Sequence, residues 1–483
     1  MNIARHATRV ILLGGAGALL AGATAPGTSK DWYRITLADG SVIGAASHEI
    51  SRDGAGTTIT DVQDISLIEA HHGAMALHQQ RVERRDATGH TLSIIDKSRS
   101  GEATTETLMQ IAGDVARFTR RTAAGERHVT IPLPPGVRFD DGEGLLSDWD
   151  MPRDRVLAFD QLDIGSMAIE HVVLERVAGA PHESGESIAV IRRAYDGEQL
   201  RSVARLLLDE RHRIVAVTYP MFGTRITLHA TDRNIAQQPH PPLRIDLEMA
   251  VASPFHISPA AMHGHIRYRF RFADGMRFLP PQTGEQRVAM SEEAATVDVC
   301  NDCGPGLGSD AAALSAARQP TTWLQSDNAV LRDLAAPVAG MNVSDARKMA
   351  LLATRARRRL SKLDPWGHYS ALDALKRGAG DCTEDAVVLA ALGRAVGIPT
   401  KVVNGLAYVR GEFHGERNAF LPHSWTIAWV DGAWRSFDMS LDGFDATHIA
   451  LTVGDGDARS VLAVGALASL LVWQDMAEVR AAP

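Results

Sequence analysis

Cysteine is scarce in this chain: three in 483 residues, at Cys300, Cys303 and Cys382. That number is too small for a disulfide-stapled scaffold, so stability must come from buried cores. Aromatic residues make up only 5% of the chain, and no run of like charge exceeds the short Arg355–Arg359 stretch. That stretch lies in a helical pattern and reads as a solvated face. With a net charge of −8, a nucleic-acid partner has no electrostatic footprint. Long apolar runs are missing too. Val10–Ala21 falls short of the ~20 residues that span a bilayer, and Val461–Trp473 reads as a buried terminal element. What is present, 45% hydrophobic and 22% charged residues, is the balance of a folded globular protein, long enough for two to four domains.

The first residues have a pattern of their own. Arg5 and Arg9 precede the apolar, small-residue stretch Val10–Ala21, and Ala21-Gly22-Ala23 follows as a cleavage pattern. This is the form of a secretory signal peptide. It leads to the expectation of a periplasmic or secreted protein with no membrane span after cleavage. In such an oxidising space an odd cysteine count leaves one thiol over. Cys300 and Cys303 are close neighbours, so the one left over is Cys382. Gly304, Pro305 and Gly306 preclude the helix that a thioredoxin-type redox pair requires. A local disulfide is therefore the first reading. A zinc half-site, with His263 and His265 as distant partners, is the second, and a redox-active pair the third.

From Asp31 to about Pro259 short alternating segments such as Trp32–Leu37, Arg127–Ile131 and Arg213–Thr218 are punctuated by Asp39-Gly40, Asp53-Gly54 and Asp141-Gly142. They predict antiparallel β-structure. Breaks near Asp148–Arg153 and at Gln237–Pro242 divide it. Ile266–Phe272 alternates again, and from Trp323 the apolar spacing turns helical through Leu331, Leu334, Val338, Met349 and Leu352. The expected division is 1–23 signal peptide, 31–150 and 151–242 β-rich domains, 243–310 a β-rich leader with the cysteine pair, 320–455 a catalytic domain and 456–483 a tail. Residues 31–259 gather no convincing catalytic set and read as a scaffold or binding module.

The chemistry lies further on. Gly380-Asp381-Cys382-Thr383-Glu384-Asp385 precedes an apolar run that stops at Gly397, with Pro399 two residues beyond. Asp381 is an N-cap, and Glu384 completes a capping-box pattern. Cys382 is then the first helical residue, facing the positive end of the helix dipole and N–H groups suited to an oxyanion. Asp381, Glu384 and Asp385 oppose a thiolate there, so a histidine partner is required. If His423–Val430 is a strand and Asp431-Gly432 a two-residue hairpin turn, Val430 opposes Ala433 and Trp425 opposes Asp438. His423 and Asp438 then share a face as diagonal neighbours roughly 7–8 Å apart, close enough for the carboxylate to fix the imidazole tautomer. Each of the three is ordinary taken alone; together they meet the needs of thiol acyl chemistry.

At these residues the chain resembles the transglutaminase-like superfamily. The resemblance runs from Tyr369–Lys376 into Gly380-Asp381-Cys382-Thr383-Glu384, through Leu389–Pro399, and ends with Pro422-His423-Ser424-Trp425 and Trp434–Asp438. It covers roughly 320–455. It implies an α+β fold with a papain-like core, a Cys-bearing helix on an antiparallel sheet carrying His and Asp, preceded by β-rich N-terminal domains. It further implies catalysis by Cys382, His423 and Asp438 through a thioester, on peptide or carboxamide carbonyls of a protein or peptide substrate. Family members use an additional oxyanion donor, for which Trp366, His368 and Tyr369 are candidates here. No cofactor and no metal are expected, since no calcium loop is evident. The rival readings are a cysteine peptidase or amidase of the same fold, with water as acceptor, and a non-catalytic envelope module. Substrate and oligomeric state are not legible.

Overall fold

The computed structural model describes residues 27–479 apart from 70–72, 101–102, 141–142, 152–153, 178–187, 222–223, 241, 246–250, 254–255, 274–275, 362–367, 411–416 and 442. The signal-peptide pattern and Trp366 lie outside the described residues. Two compact units divide at Leu247/Glu248.

The first unit is built on one large sheet, antiparallel except for the short strand Leu243–Ile245, which runs parallel to Gly56–Glu69. Consecutive strands from Gly27–Leu37 to Gly125–Pro132 form one wing and those from Val156–Asp163 to Thr224–Thr231 the other. The wings join where the first strand pairs with the last, Trp32 opposite Thr231. The sheet therefore runs through both β-rich stretches on either side of the Asp148–Arg153 break. That break is local: the short helix Glu143–Asp148 lies there, while the pairing that unites the wings spans some two hundred residues. Alternation buries one face, with Ile94, Met109, Phe118 and Leu162 in a shared core. Buried polar side chains accompany them, among them His48, hydrogen-bonded to Asp61 at 2.6 Å.

The second unit holds the residues of interest. Helix Cys382–Ala395 packs against a sheet in which strand Thr400–Val409 lies between Ala419–Val430 and Ile449–Gly454, and Ala433–Phe437 returns along Ala419–Val430. Val387, Leu389 and Leu392 of the helix are fully buried; each such side chain contributes about 2 kcal/mol by its transfer from water. Thr426 Oγ1 donates to the Ala386 carbonyl at 2.9 Å and Thr400 Oγ1 to the Ala390 carbonyl at 2.7 Å. These bonds fix the helix in register on the strands. Gly405 sits opposite His423, and a Cβ there would lie 2.0 Å from the Ile449 carbonyl oxygen. Only glycine lets the three strands approach this closely.

A second, smaller sheet flanks this core. Ile266–Phe272 pairs with Ala294–Val299 on one side and with Leu471–Glu478 on the other. Its Tyr268 and Trp473 rings meet Phe420, at the start of the His423 strand, with Phe420 and Trp473 centroids 4.8 Å apart, and Phe270 packs edge-on against Trp473. Residues 458–478 are thus part of this unit's fold, as helix Ala458–Leu470 and strand Leu471–Glu478. Among the described residues no helix is long and apolar enough to cross a membrane.

Candidate active site

The capping signals at Asp381 act as the sequence suggests. The Asp381 carboxylate accepts from the Thr383 N–H at 2.7 Å, and Glu384 reaches back to the Asp381 N–H at 3.1 Å. Cys382 therefore begins its helix. Glu384 is almost wholly buried, and burial, then the neighbouring Asp381 charge, pushes its carboxyl well above the usual range. The first turn's N–H groups are partly consumed by this cap, which narrows the set that can serve an oxyanion.

The Cys382 thiol is buried at 4% exposure. Burial, then the Asp381 charge, pushes it well above its ordinary value; the Ser424 N–H, hydrogen-bonding the sulfur, pulls the other way. That N–H belongs to the residue after His423, so the thiol lies against the histidine strand. Thr383 Oγ1 and Ser424 Oγ, 3.5 Å apart, make a second stitch at the same level.

Asp431, with a φ of 52°, and Gly432, at 82°, form the expected two-residue turn. Val430 opposes Ala433, and the ladder continues to Thr426 opposite Phe437. One residue beyond, Asp438 turns its carboxylate to His423: Oδ2 accepts from Nε2 at 2.8 Å. The diagonal spacing is thereby closed to a hydrogen bond. Asp438 Oδ1 accepts from the N–H groups of Ser440 at 2.7 Å and Leu441 at 3.3 Å. Ser440 Oγ in turn donates to Asp385 on the cysteine helix at 2.6 Å.

Sequence reasoning missed His448. This residue follows Asp445-Ala446-Thr447 in the turn before strand Ile449–Gly454. Its Nε2 donates to the same Asp438 Oδ2 at 3.2 Å, and its Nδ1 faces Asp445 Oδ1 at 3.2 Å. Burial alone would lower this imidazole, but the bonds and charges of the two aspartates raise it to about 9. Asp438 shows the reciprocal effect. Burial would raise it, yet His423 and His448 hold it far below the usual carboxylate range. The one signal in the sequence was a histidine amid acids within ten residues of Asp438. Among the described residues, His423, Asp438 and His448 are the one trio whose ligand-type atoms converge, all within 4.8 Å. Their mutual hydrogen bonds already occupy those atoms.

The other expected residues have partners of their own, and the Tyr369 N–H donates to the capping Glu384 at 3.3 Å. His368 shares a hydrogen bond with the Gly456 carbonyl at 2.8 Å and packs on Trp323. Tyr369 lies under the Arg377 guanidinium, 4.5 Å from its ring centre. Cys300 and Cys303 are joined as a disulfide with Cα atoms 5.6 Å apart, and Cys382 is the free cysteine. His265, weighed as a zinc partner, is hydrogen-bonded to Asp298 at 2.9 Å.

The sequence of residues 332–439 matches the family described as the transglutaminase-like superfamily. This stretch is a transglutaminase-like domain. The matched domain includes Cys382, His423 and Asp438 and ends before His448. No curated protein matches the chain. Two solved structures align with part of it. One is a candidate cysteine protease from Cytophaga hutchinsonii, 15% identical, covering 44% of this chain and 87% of that one, with a TM-score of 0.28. The other is a β-barrel-like protein of a domain of unknown function from Brucella abortus, 12% identical, covering 44% and 98%, with a TM-score of 0.33. Likenesses this slight carry no weight beside the transglutaminase-like domain itself.

Proposed function

We propose that the transglutaminase-like domain is a thiol acyl-transfer enzyme with a papain-like core, in which Cys382 is the nucleophile, His423 the base and Asp438 the residue that orients it. The observation that carries this reading is the hydrogen bond between His423 and Asp438 on the hairpin that packs against the capped start of the Cys382 helix. His423 Nδ1 takes the thiol proton, and the sulfur attacks a peptide or carboxamide carbonyl. The tetrahedral oxyanion meets the Cys382 N–H at the helix start. Collapse expels the amine, which takes the proton from His423, and leaves a thioester. An amine or water then resolves it. The two outcomes are transamidation and hydrolysis, and the same three residues serve both.

Burial and Asp381 oppose a lone thiolate, so reactivity below the ordinary thiol value must come from proton transfer to His423. Alkylation of Cys382 by iodoacetamide is expected to proceed well below pH ~8.5 in the wild type and to lose that reactivity in His423→Ala. Equal, slow reaction in both proteins would show an inert thiol and favour the non-catalytic module.

The pattern of Met1–Ala23 supports export to the periplasm or beyond. N-terminal sequencing of the mature chain is expected to begin just after Ala23; an intact Met1 would overturn export by this route.

A further inference from the structure

We propose that His448 is a positioning residue for this reaction, a buried imidazolium that clamps Asp438 beneath His423 and holds a positive charge beside the pair. The inference rests on the proposed function and goes beyond its three residues.

The geometry is a chain of four side chains: Asp445, His448, Asp438 and His423. Asp438 Oδ2 is shared by the two imidazoles, at 2.8 Å from His423 and 3.2 Å from His448. His448 faces an aspartate carboxylate at each ring nitrogen, which favours the doubly protonated ring, although the Asp445 N–H also points at Nδ1 from 3.3 Å. Its ring lies between Phe444, with centroids 5.0 Å apart, and Trp425, edge-on at 5.2 Å. The ring therefore cannot swing away from Asp438 without opening the core. The titratable groups around it are Asp438, Asp445, His423 at 5.6 Å between ring centres, and Glu285, whose carboxyl is raised by burial and drawn back by the His448 charge among others. Arg357, the last residue of helix Asp345–Arg357, donates to the Asp438 and Met439 carbonyls. The imidazolium thus lies within a largely anionic set.

Two consequences follow. An Asp438 fixed by four donors can accept from His423 in one orientation only, so the tautomer that presents Nδ1 to the thiol is set before substrate arrives. The His448 cation also offsets the Asp438 charge, which otherwise disfavours a thiolate at Cys382. A purely structural His448 would affect the amount of competent site; a charged one also affects the pH at which the thiolate forms.

The test is the pH profile of Cys382 alkylation by iodoacetamide, in the full chain, for wild type, His448→Gln, Asp445→Asn and His423→Ala, with thermal melts to establish folding. Glutamine can still donate one N–H to Asp438 but carries no charge. The acid limb of His448→Gln is expected to move up by about one pH unit, the order of effect of one charge several ångströms away in a partly screened interior. Asp445→Asn removes the outer anion and is expected to move the limb the other way. Opposite shifts in folded proteins support the inference. Unmoved limbs, or shifts of the same sign, overturn it. If His448→Gln does not fold, Asp445→Asn decides alone, and an unmoved limb overturns the inference. A profile unaltered in His423→Ala instead overturns the underlying reading of the Cys382–His423 pair.

Discussion

Cys382→Ala is expected to reduce turnover of an activated acyl ester such as p-nitrophenyl acetate by at least about a thousandfold, to the level of solution hydrolysis. Loss of a covalent nucleophile removes the intermediate itself, so the remaining groups cannot compensate in proportion. The fold should survive. Cys382 is the first residue of its helix, and the cap that starts the helix is made by Asp381 and Glu384, which the substitution leaves in place. Alanine is a good helix former and differs from cysteine by one buried sulfur, a change of about 1 kcal/mol. A thermal midpoint within a few degrees of the wild type, with turnover lost, is the expected pair of results. A folded variant with unchanged turnover would remove Cys382 from the mechanism.

Asp438→Asn is expected to affect both activity and stability. Activity should fall by about a hundredfold to ten-thousandfold, less than on loss of Cys382, because the nucleophile remains while His423 loses the acceptor that sets its tautomer. Stability should fall by about 3–5 kcal/mol, because a buried cation at His448 keeps one aspartate where it had two. The pH dependence separates the two contributions. Asp438 is depressed on folding, so its contribution is complete above about pH 4, the unfolded carboxylate value, and is lost only as pH falls through its low folded value. His448 is raised from 6.5 to about 9, so its contribution is complete below about pH 6.5 and is lost as pH rises through about 9. Urea midpoints of the wild type should therefore be highest below about pH 6.5 and show an alkaline decline from there to about pH 9, where this contribution is exhausted. In Asp438→Asn that alkaline decline should be much smaller, because the substitution removes the main partner that raises His448. A variant as stable as the wild type, with the same alkaline decline, would show that the Asp438–His448 contact contributes little.

The parts of this site visible in the sequence are those fixed by neighbours along the chain. Asp381 and Glu384 are three residues apart, and the cap they form depends only on that spacing. Asp431-Gly432 determines its own turn, and the turn determines the register that brings Asp438 toward His423. His448 was not visible because it belongs to no periodic pattern. It reaches Asp438 through the bend at Phe444–Thr447, a geometry that tertiary packing sets. The same distinction explains the first unit. Its strands are readable one by one from alternation, but the pairing of Trp32 with Thr231 depends on contacts between residues far apart in sequence, and Trp149 and Pro152 suggested a boundary that the sheet bridges. The thiol's environment was partly visible: the opposing acids could be counted, but the burial that dominates could not.

The pairing of Leu471–Glu478 with Ile266–Phe272 has a consequence for biosynthesis. The strand Ile266–Phe272 waits for a partner some two hundred residues further along the chain, so while that stretch is being made one of its edges carries unmet backbone donors and acceptors. The aromatic seam of Tyr268, Phe270 and Phe420 is likewise incomplete until Trp473 arrives. This half of the molecule is therefore expected to complete its smaller sheet only after Leu471–Glu478 has emerged from the ribosome. Deletion of Leu471–Glu478 would leave an adhesive edge rather than a slightly shorter protein.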